Sequence, residues 1–489
     1  MRHFIYLIII SIFLVIAGCE QEQNHYQTGY TGPDDPFLDE LQSRTFQWFW
    51  DWSNPVNGLV PVRVPSVPAA HLAGAGFGLT SYAVGVERGY ITREMARERT
   101  VRTLRTFWEA PQGEEPLGNS GYRGFFYRFL HPETGVRHGA HGLENPSELS
   151  TMDTSLFMAG VLFAQSYYDQ DHPQEEEIRA LADSLYQRVE WTWFHERHPL
   201  ISMSWRPEPE HPATDPETRK SRHDYTGYNE AMILYILALG SPTHPIDEEA
   251  WEAYTSTYLW EDFYGYEHVN FSPLFGHQFS HVWVDFRGIQ DEYMREKGID
   301  YFENSRRATL AQREYGIDNP NNFRDYSGEI WGWTACDGPG YHQIDMNGDT
   351  LTTRGYWARG VSARYINDDG TITPTASAGS MPFTPEESIT ALKAMINRYG
   401  DLLYHDYGFW DSFNPTFTFT DLEVQRGVVD PEMGWFNGDK LVIDQGPILL
   451  MTENYRSELI WDVMRTNPHI IRGLCRAGFS GGWLEGKCS

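Results

Sequence analysis

Four carboxylates stand where an apolar helix or a ring-rich turn begins, and this placement suits acid–base chemistry. Glu230 and Asp153 each precede a long apolar run, Asp411 follows Phe409 and Trp410, and Asp444 begins an apolar stretch. Glycoside hydrolysis requires a carboxylic acid that protonates the leaving oxygen and a second carboxylate that activates water. An apolar surrounding favours this chemistry, because desolvation keeps a carboxylic acid protonated near neutral pH.

These four residues are the predicted catalytic residues. We assign Glu230 as the general acid and Asp411 as the general base, with Asp444 as the alternative base. Asp153 is either catalytic or an acceptor for a sugar hydroxyl. Glu230, Asp153 and Asp444 each have a structural alternative, since a negative charge at a helix N-terminus is stabilised by the helix dipole and a carboxylate can cap a helix.

The stretch from Phe275 to Gly340 combines aromatic rings, guanidinium groups and carboxylates. Rings offer rigid apolar area, while Arg and Asp fix the orientation of hydroxyl groups, so this mixture favours an uncharged, hydroxyl-rich ligand, that is, a sugar. The predicted substrate-binding residues, in and around this stretch, are Tyr228, Asn229, His277, His281, Trp283, Asp285, Arg287, Arg306, Trp331, Asp337 and Trp410.

Metal and cofactor motifs are weak. His277, His281 and Asp285 share one face of a predicted helix, but the Glu of a His-Glu-x-x-His zinc motif is missing. The segment Asp345 to Asp349 imitates the start of a calcium loop and lacks its turn glycine and closing Glu. We therefore expect neither a metal nor a cofactor at the site.

The N-terminus resembles an export signal. Arg2 and an apolar run precede Ala17-Gly18-Cys19, which is typical of lipoprotein processing at Cys19; the alternative is an ordinary cleaved signal. We predict a signal segment over 1–19, a flexible tether over 20–36, and a lipoprotein anchored to the outer membrane, facing the periplasm or the cell surface. Cys475 and Cys488 either pair or stay free.

A formal net charge of −30 excludes nucleic acid as a partner, because a polyanion would be repelled. Helical periodicity runs through most of the chain without βαβ alternation, and no short repeat favours a solenoid. Predicted helices include Phe37–Trp52, Tyr225–Leu239 and Val282–Lys297, and hairpins are predicted near 121–129 and 356–373. The composition therefore favours an all-α domain over 37–489, expected to be a monomer that takes a polysaccharide or oligosaccharide.

Several blocks of the chain carry a family resemblance. They are GHQFSHVWVDFRGI, DYFENSRRATLAQR and WGWTACDGPG, with YNEAMILYILALGSPTHP upstream and YGFWDSFNP and IDQGPILLMTENYRS downstream. They resemble bacterial glucoamylase-like domains, the group that includes glycoside hydrolase family 144, the β-1,2-glucanases. The resemblance implies an (α/α)6 barrel that cleaves a β-glucan, with Glu230 as the acid, and does not by itself settle which glucan. We expect hairpin inserts at the rim of the barrel and a β-1,2-glucan substrate, cut with inversion by endo or exo attack.

Two alternative functions remain open from the sequence. One is another enzyme on the same barrel, either a hydrolase of a different glucan or a polysaccharide lyase, which would require a basic cleft that neutralises a uronate. The other is a surface lipoprotein that binds glycans without catalysis. Its difficulty is that it leaves the carboxylates at apolar helix starts unexplained.

Overall fold

The structure is a computed structural model, and it describes residues 26, 27, 29–140, 145–197, 199–346 and 348–488. The predicted signal segment, with Cys19, and residues 20–25 and 28 of the predicted tether lie outside the described residues. No helix within the described residues is long and apolar enough to cross a membrane.

Helices dominate the described chain. They are α1 Pro36–Trp52, α2 Leu72–Glu87, α3 Arg93–Glu109, α4 Thr151–Tyr167, α5 Pro173–Gln187, α6 Trp191–Phe194, α7 Met232–Gly240, α8 Glu249–Thr255, α9 Phe275–Trp283, α10 Glu292–Lys297, α11 Tyr301–Asp318, α12 Pro374–Gly379, α13 Pro385–Tyr399, α14 Val442–Ser457, α15 Leu459–Met464 and α16 Pro468–Arg476, with short 3-10 turns at Gly400–Leu402 and Gly482–Leu484.

The strands are short and lie in the connections between helices. They are β1 Arg63–Val64, β2 Ala70–His71, β3 Gly121–Tyr122, β4 Phe125–Phe126, β5 Phe129–Leu130, β6 Leu149–Ser150, β7 Ser204–Trp205, β8 Trp260–Phe263, β9 Tyr266–Val269, β10 Ala335–Cys336, β11 His342–Met346, β12 Asp349–Thr353, β13 Trp357–Ala358, β14 Gly360–Val361, β15 Ile366–Asn367, β16 Tyr404–His405, β17 Gly408–Phe409, β18 Phe413–Asn414, β19 Val428–Asp430, β20 Gly434–Phe436 and β21 Lys440–Leu441. They pair into small antiparallel ribbons, the widest with strand order β18-β20-β19.

Six helices contact one another in a closed cycle. Helix α2 packs on α4, α4 on α7, α7 on α9, α9 on α12, α12 on α14, and α14 returns to α2. Helix α7 is buried along its whole length, and α2 and α4 are buried along nearly all of theirs, as expected for helices with neighbours on both sides.

Helices α2 and α4 cross closely at a point where two glycines meet. A Cβ on Gly160 would lie 2.2 Å from the carbonyl oxygen of Gly76, and a Cβ on Gly76 would lie 2.3 Å from the carbonyl oxygen of Leu156. The glycines therefore allow the two backbones to touch.

The remaining long helices lie outside the cycle. They are amphipathic, because one face packs on other helices and the opposite face meets solvent. Helix α1 packs on α2 and α14, α5 on α4, α13 on α12, and α16 on α7. Capping side chains set their starts where the sequence offers one: Asp35 accepts from the Phe37 N–H, and Thr92 from the Met95 N–H.

Two predicted helix boundaries are wrong. The predicted helix Tyr225–Leu239 begins only at Met232, so Glu230 lies in the turn before it. The predicted helix Val282–Lys297 is two helices, α9 and α10, separated by the non-helical residues 284–291. Helical periodicity continues across both breaks, so the apolar pattern alone does not mark them. The short strands of β8–β9 and β11–β12 are also additional to the predicted hairpins.

The last part of the predicted tether is packed on the domain. The backbone N–H of Tyr26 donates to Asn397 Oδ1 at 2.9 Å, and Asn397 Nδ2 donates back to the Tyr26 carbonyl at 2.8 Å. Lys393 Nζ donates to the Gly29 carbonyl at 2.9 Å and to buried Asp35 at 2.6 Å. These bonds hold the segment against α13, so the packed chain starts before the predicted residue 37.

The cysteines left open by the sequence divide into a pair and a single thiol. Cys475 and Cys488 form a disulfide, and Cys336 is free and buried. The disulfide closes the C-terminal segment onto α16.

Candidate active site

A cavity of about 390 Å³ opens where the inner helices begin. The first turns of α4, α9 and α14, the turn before α7, and the strand before α2 all face it. Its lining residues are Val62, Arg63, His71, Arg128, Phe129, Ala140, Met152, Asp153, Leu156, Tyr225, Glu230, Phe275, Phe279, Ala335, Tyr356, Ala358, Leu441, Ile443 and Asp444.

Glu230 reaches this cavity from the turn before α7. Its carbonyl oxygen accepts the hydroxyl of Ser280 on α9 at 2.9 Å, which fixes the turn against a neighbouring helix. Burial of the side chain raises the pKa of Glu230 to about 7, and the negative charge of Asp153 adds to the effect. Glu230 is therefore a carboxylic acid that holds its proton close to neutral pH.

Asp153 lies in the first turn of α4 and has the opposite character. It accepts Nε of Arg128 at 3.0 Å and the Ser150 hydroxyl at 2.5 Å. Burial alone would raise the pKa of Asp153, but the Arg128 charge and these hydrogen bonds outweigh it and hold the pKa below its ordinary value. Asp153 is therefore ionised, which suits accepting hydrogen bonds and does not suit donating a proton.

His71 completes this side of the cavity. Its Nε2 lies 3.7 Å from Asp153 Oδ1, and its Nδ1 has no hydrogen-bond partner among the described residues. Burial lowers the pKa of His71 to about 4, so the ring is neutral and its two nitrogens differ in hydrogen-bonding role.

Asp411 and Asp444 form a buried carboxyl pair. Burial raises both pKa values, that of Asp411 to about 6 and that of Asp444 well above its ordinary range. The interaction between the two carboxyl groups lowers the pKa of Asp411 and raises that of Asp444, so it favours a charged Asp411 beside a protonated Asp444. Only Asp444 lines the cavity, and Asp411 lies behind it.

A network of donors holds the charge on Asp411. Its Oδ2 accepts the Asp337 N–H at 2.8 Å, Nδ2 of Asn437 at 3.1 Å and the Ser412 hydroxyl at 3.1 Å. Asp337, predicted as a sugar contact, instead pairs with Arg63 at 2.5 Å. Asp337 thus supports the carboxyl pair from behind the cavity, while Arg63 lines the cavity itself.

Four aromatic residues predicted to bind sugar belong to the core. His277 and His281 are fully buried, with ring nitrogens that meet the Phe271 carbonyl at 3.2 Å and the Ser305 hydroxyl at 3.1 Å. Trp283 stacks on Phe77 and donates to Thr80 at 3.0 Å, and Trp331 is buried in a second apolar cluster. On α9, Phe275 and Phe279 line the cavity, whereas His277, His281 and Trp283 of the same helix fill the interior.

The predicted charged contacts also lie away from the cavity. Asp285 is buried between Arg287 and Arg465 just after the end of α9, whereas the cavity opens at the start of that helix. Arg306 is an exposed helix residue paired with Glu303 at 3.5 Å. These groups form structural ion pairs.

Tyr228, Asn229 and Trp410 border the site without lining its cavity. Tyr228 packs on Tyr301 and His277, and Asn229 Oδ1 accepts the Ala231 N–H at 2.9 Å, which shapes the turn that carries Glu230. Trp410 precedes Asp411, and Lys440 Nζ lies 3.4 Å from its ring centre.

Metal-like motifs have structural explanations. Asp345 stands in the turn of the β11–β12 hairpin, where its Oδ1 accepts the Gly348 N–H at 2.7 Å. Within the described residues, no group of three or more His, Cys, Asp or Glu side chains is arranged to hold a metal ion.

Several lining residues escaped the sequence analysis, namely Arg63, His71, Arg128, Tyr225 and Tyr356. They lie in short strands or connections, where no periodicity distinguishes a cavity-facing side chain from a buried one. Arg128 could have been found from the sequence, because it lies one residue before the end of the predicted hairpin near 121–129 and an Arg among phenylalanines needs a carboxylate partner.

Comparison with known proteins shows that this chain is similar to carbohydrate-active enzymes. Residues 222–468 match the Glycoamylase family model, described as "Putative glucoamylase". A curated protein of Parabacteroides distasonis, "Exo beta-1,2-glucooligosaccharide sophorohydrolase (non-reducing end)", is 26% identical over 499 residues, covering 96% of this chain and 61% of that protein. The chain thus spans 61% of the length of this relative.

Solved structures match over almost the whole fold. A "putative glucoamylase" from Bacteroides uniformis is 31% identical, with 92% of this chain and 99% of that chain covered and a TM-score of 0.76. An endo-beta-1,2-glucanase from Chitinophaga pinensis, solved with sophorotriose and glucose, is 29% identical, with 92% and 99% covered and a TM-score of 0.74.

Proposed function

Since this chain belongs to the Glycoamylase family, we propose that it is a glycoside hydrolase that cleaves β-1,2-glucan. The observation that carries the proposal is one cavity lined by a near-neutral acid, Glu230, and by the proton-sharing pair through Asp444. Two carboxyl functions with separated pKa values are what glycoside hydrolysis requires. The relatives named for β-1,2-glucan cleavage support the choice of substrate.

The reaction follows from the protonation states. Glu230 donates its proton to the glycosidic oxygen, which leaves with the bonding electron pair, while water attacks the anomeric carbon. The water proton passes to Asp444 as the proton of Asp444 moves to Asp411, so the pair ends doubly protonated. A direct attack by water inverts the configuration, and ionised Asp153 with neutral His71 is placed to hold sugar hydroxyls.

The charge of the cavity favours a hydrolase over a lyase. A lyase must neutralise a uronate carboxylate, so its cleft should carry an unpaired cation. Both arginines of the cavity are already paired, Arg63 with Asp337 and Arg128 with Asp153 and Glu148. A neutral glucan has no carboxylate, so its cleavage does not require an unpaired cation in the cavity.

We propose that the fold is an (α/α)6 barrel forming a single catalytic domain. The closed cycle α2, α4, α7, α9, α12 and α14 supplies the inner helices, and α1, α3, α5, α11, α13 and α16 supply outer ones. The short ribbons then lie mainly at the end of the barrel where the cavity opens.

We also propose an exported, monomeric lipoprotein held to the outer membrane through Cys19. The Ala17-Gly18-Cys19 motif supports lipidation. The disulfide between Cys475 and Cys488 supports export, because such bonds persist in oxidising compartments.

The test is a reducing-sugar and product-length assay on linear β-1,2-, β-1,3-, β-1,4- and α-1,4-glucans. We expect wild type to release products from β-1,2-glucan and Glu230→Gln to release almost none. Glu133→Gln, an exposed residue that does not line the cavity, is the matched control and should match wild type. Unsaturated products, preference for another glucan, or full turnover by Glu230→Gln would each refute the proposal.

A further inference from the structure

A second cavity, of about 570 Å³, lies beside the first and is not used by the reaction above. One wall comes from the start of β8, with Leu259 and Glu261, and the other from the turn between β14 and β15, with Arg364 and Tyr365.

The two cavities share a wall. Tyr225 and Glu230 line the first cavity, while Thr226, Gly227 and Tyr228 of the same short segment line the second. Phe271 of the second cavity also packs edge-on against Phe275 of the first, with ring centres 5.5 Å apart. A chain molecule with its reacting linkage at Glu230 therefore needs to cross only this segment to enter the second cavity.

Tyr365 is the most exposed aromatic residue that lines the second cavity. Tyr365 is 62% exposed, and within the described residues its ring makes no stacking contact and its hydroxyl no hydrogen bond. Leu259 opposite is 36% exposed. Large apolar groups left open at the edge of a cavity indicate a surface that a ligand covers.

The other lining groups indicate an uncharged, polar ligand. Thr226, Ser272 and Ser362 bring hydroxyl groups to the wall. Two further lining side chains, Thr257 and Asn270, are already engaged by backbone groups. The charged pair there, Arg364 with Glu261, is self-neutralised at 2.6 Å. Flat apolar faces among neutral hydrogen-bonding groups match the two kinds of surface on a pyranose ring.

We propose that this second cavity binds further glucosyl residues of the same chain whose linkage is cut in the first cavity. The inference rests on the proposed function and extends it, since it makes the enzyme's affinity depend on substrate length. Short oligosaccharides fill the first cavity alone, while long chains occupy both.

The experiment compares long β-1,2-glucan with the shortest oligosaccharide that wild type hydrolyses. Tyr365→Ala should lower kcat/KM for the long chain about fivefold, the loss of one aromatic contact, and leave the short substrate unchanged. Leu259→Ala, on the opposite wall, should act in the same direction. Tyr341→Ala is the matched control, because Tyr341 is 64% exposed but lines neither cavity.

The results distinguish failure of the second binding site from failure of the proposed hydrolase activity. If wild type hydrolyses both substrates and neither Tyr365→Ala nor Leu259→Ala changes kcat/KM from the wild-type value on either one, the second binding site is refuted and the hydrolase proposal stands. Losses of equal size on both substrates also overturn it, because they indicate a general structural effect. Absence of hydrolysis by wild type ends both proposals.

Discussion

Glu230 and Asp411 set the expected pH dependence of the reaction. The donor must be protonated, and the pKa of Glu230 is about 7, so kcat/KM should fall as pH rises above 7. The pair must hold one proton only, and the pKa of Asp411 is about 6, so kcat/KM should also fall below pH 6. A pH–rate profile of wild type should therefore be a narrow bell between these values. A plateau reaching well into alkaline pH would contradict Glu230 as the acid.

Glu230 should also cost stability at the pH where it ionises. Its pKa rises from 4.5 in the unfolded chain to about 7 in the fold, so the folded state binds more protons between these values. The free energy of unfolding should fall as pH rises from 4.5 to 7 and level off above. At pH 8 the free energy of unfolding of Glu230→Gln should therefore exceed that of wild type by on the order of 3 kcal/mol, and the variant should unfold at a higher denaturant concentration.

Below pH 4.5 this difference between the two proteins should vanish, since Glu230 is protonated in both states. Equal stability of the variant and wild type at pH 8, in urea unfolding followed by tryptophan fluorescence, would show that Glu230 is well solvated. The activity loss of the same variant would then need another cause.

The Asp411–Asp444 pair predicts different consequences for its two members. Asp444→Asn removes the carboxyl that faces the cavity and should lower kcat by about a hundredfold or more. In Asp411→Asn, Asp444 loses the neighbouring charge that raises its pKa, so residual activity should persist to lower pH than in wild type. If the acidic limb of the pH profile stays near 6 in Asp411→Asn, the pair does not act as a unit.

At the scale of elements, the contact between α2 and α4 positions part of the site. Asp153 and Leu156 lie within two turns of Gly160, whose added Cβ would meet the Gly76 backbone at 2.2 Å. Backbone cannot yield as a flexible side chain can, so Gly160→Ala should displace α4 and destabilise the protein by about 1–3 kcal/mol. We also expect a lower kcat, because small displacements of substrate-holding groups are costly.

Gly29→Ala is the control for this substitution, since a Cβ at Gly29 would meet no heavy atom within 4 Å. Thermal unfolding and kcat measured on both variants test the prediction. Wild-type behaviour of Gly160→Ala would mean that the helices separate easily, against the close crossing seen in the fold.

Helix existence could be predicted from sequence, while the side chains facing the cavity could not. Helix α1 was predicted as Phe37–Trp52 and runs Pro36–Trp52, because its apolar stripe and acidic cap both lie in the local sequence. Helix α9 shows the limit. Its His277 and Trp283 have the residue types of a sugar site, yet an inner helix buries such rings against its neighbours as readily as it presents them.

The same limit applies to the carboxylates, because the sequence does not show which of them face the cavity. The apolar run after Glu230 indicates a desolvated carboxyl group, because the composition of the following helix, which is buried along its whole length, predicts that burial. Which aspartate faces the cavity depends on how α14 packs beside the segment that carries Asp411, and this is a long-range property. His71 and Arg128 are brought to Asp153 by pairing between β2 and β5, which no local pattern announces.

At the scale of the whole molecule, the disulfide predicts a measurable contribution to stability. Cys475 and Cys488 enclose a short loop, 13 residues apart in sequence, so their pairing should stabilise the fold by about 3 kcal/mol. Cys488→Ser should lower the melting temperature without abolishing activity, since neither cysteine lines the cavity. Equal melting of wild type with and without reductant would show that the bond contributes little.

The hydrogen bonds between Tyr26 and Asn397 bear on how far the enzyme can work from its proposed anchor. Six residues, 20–25, separate Cys19 from Tyr26. Even fully extended, the seven steps from Cys19 to Tyr26 span at most about 25 Å. An enzyme attached in this way acts only on glucan that arrives within a thin layer beside the bilayer, so its effective supply is set by polymer delivered to that layer and not by the bulk concentration.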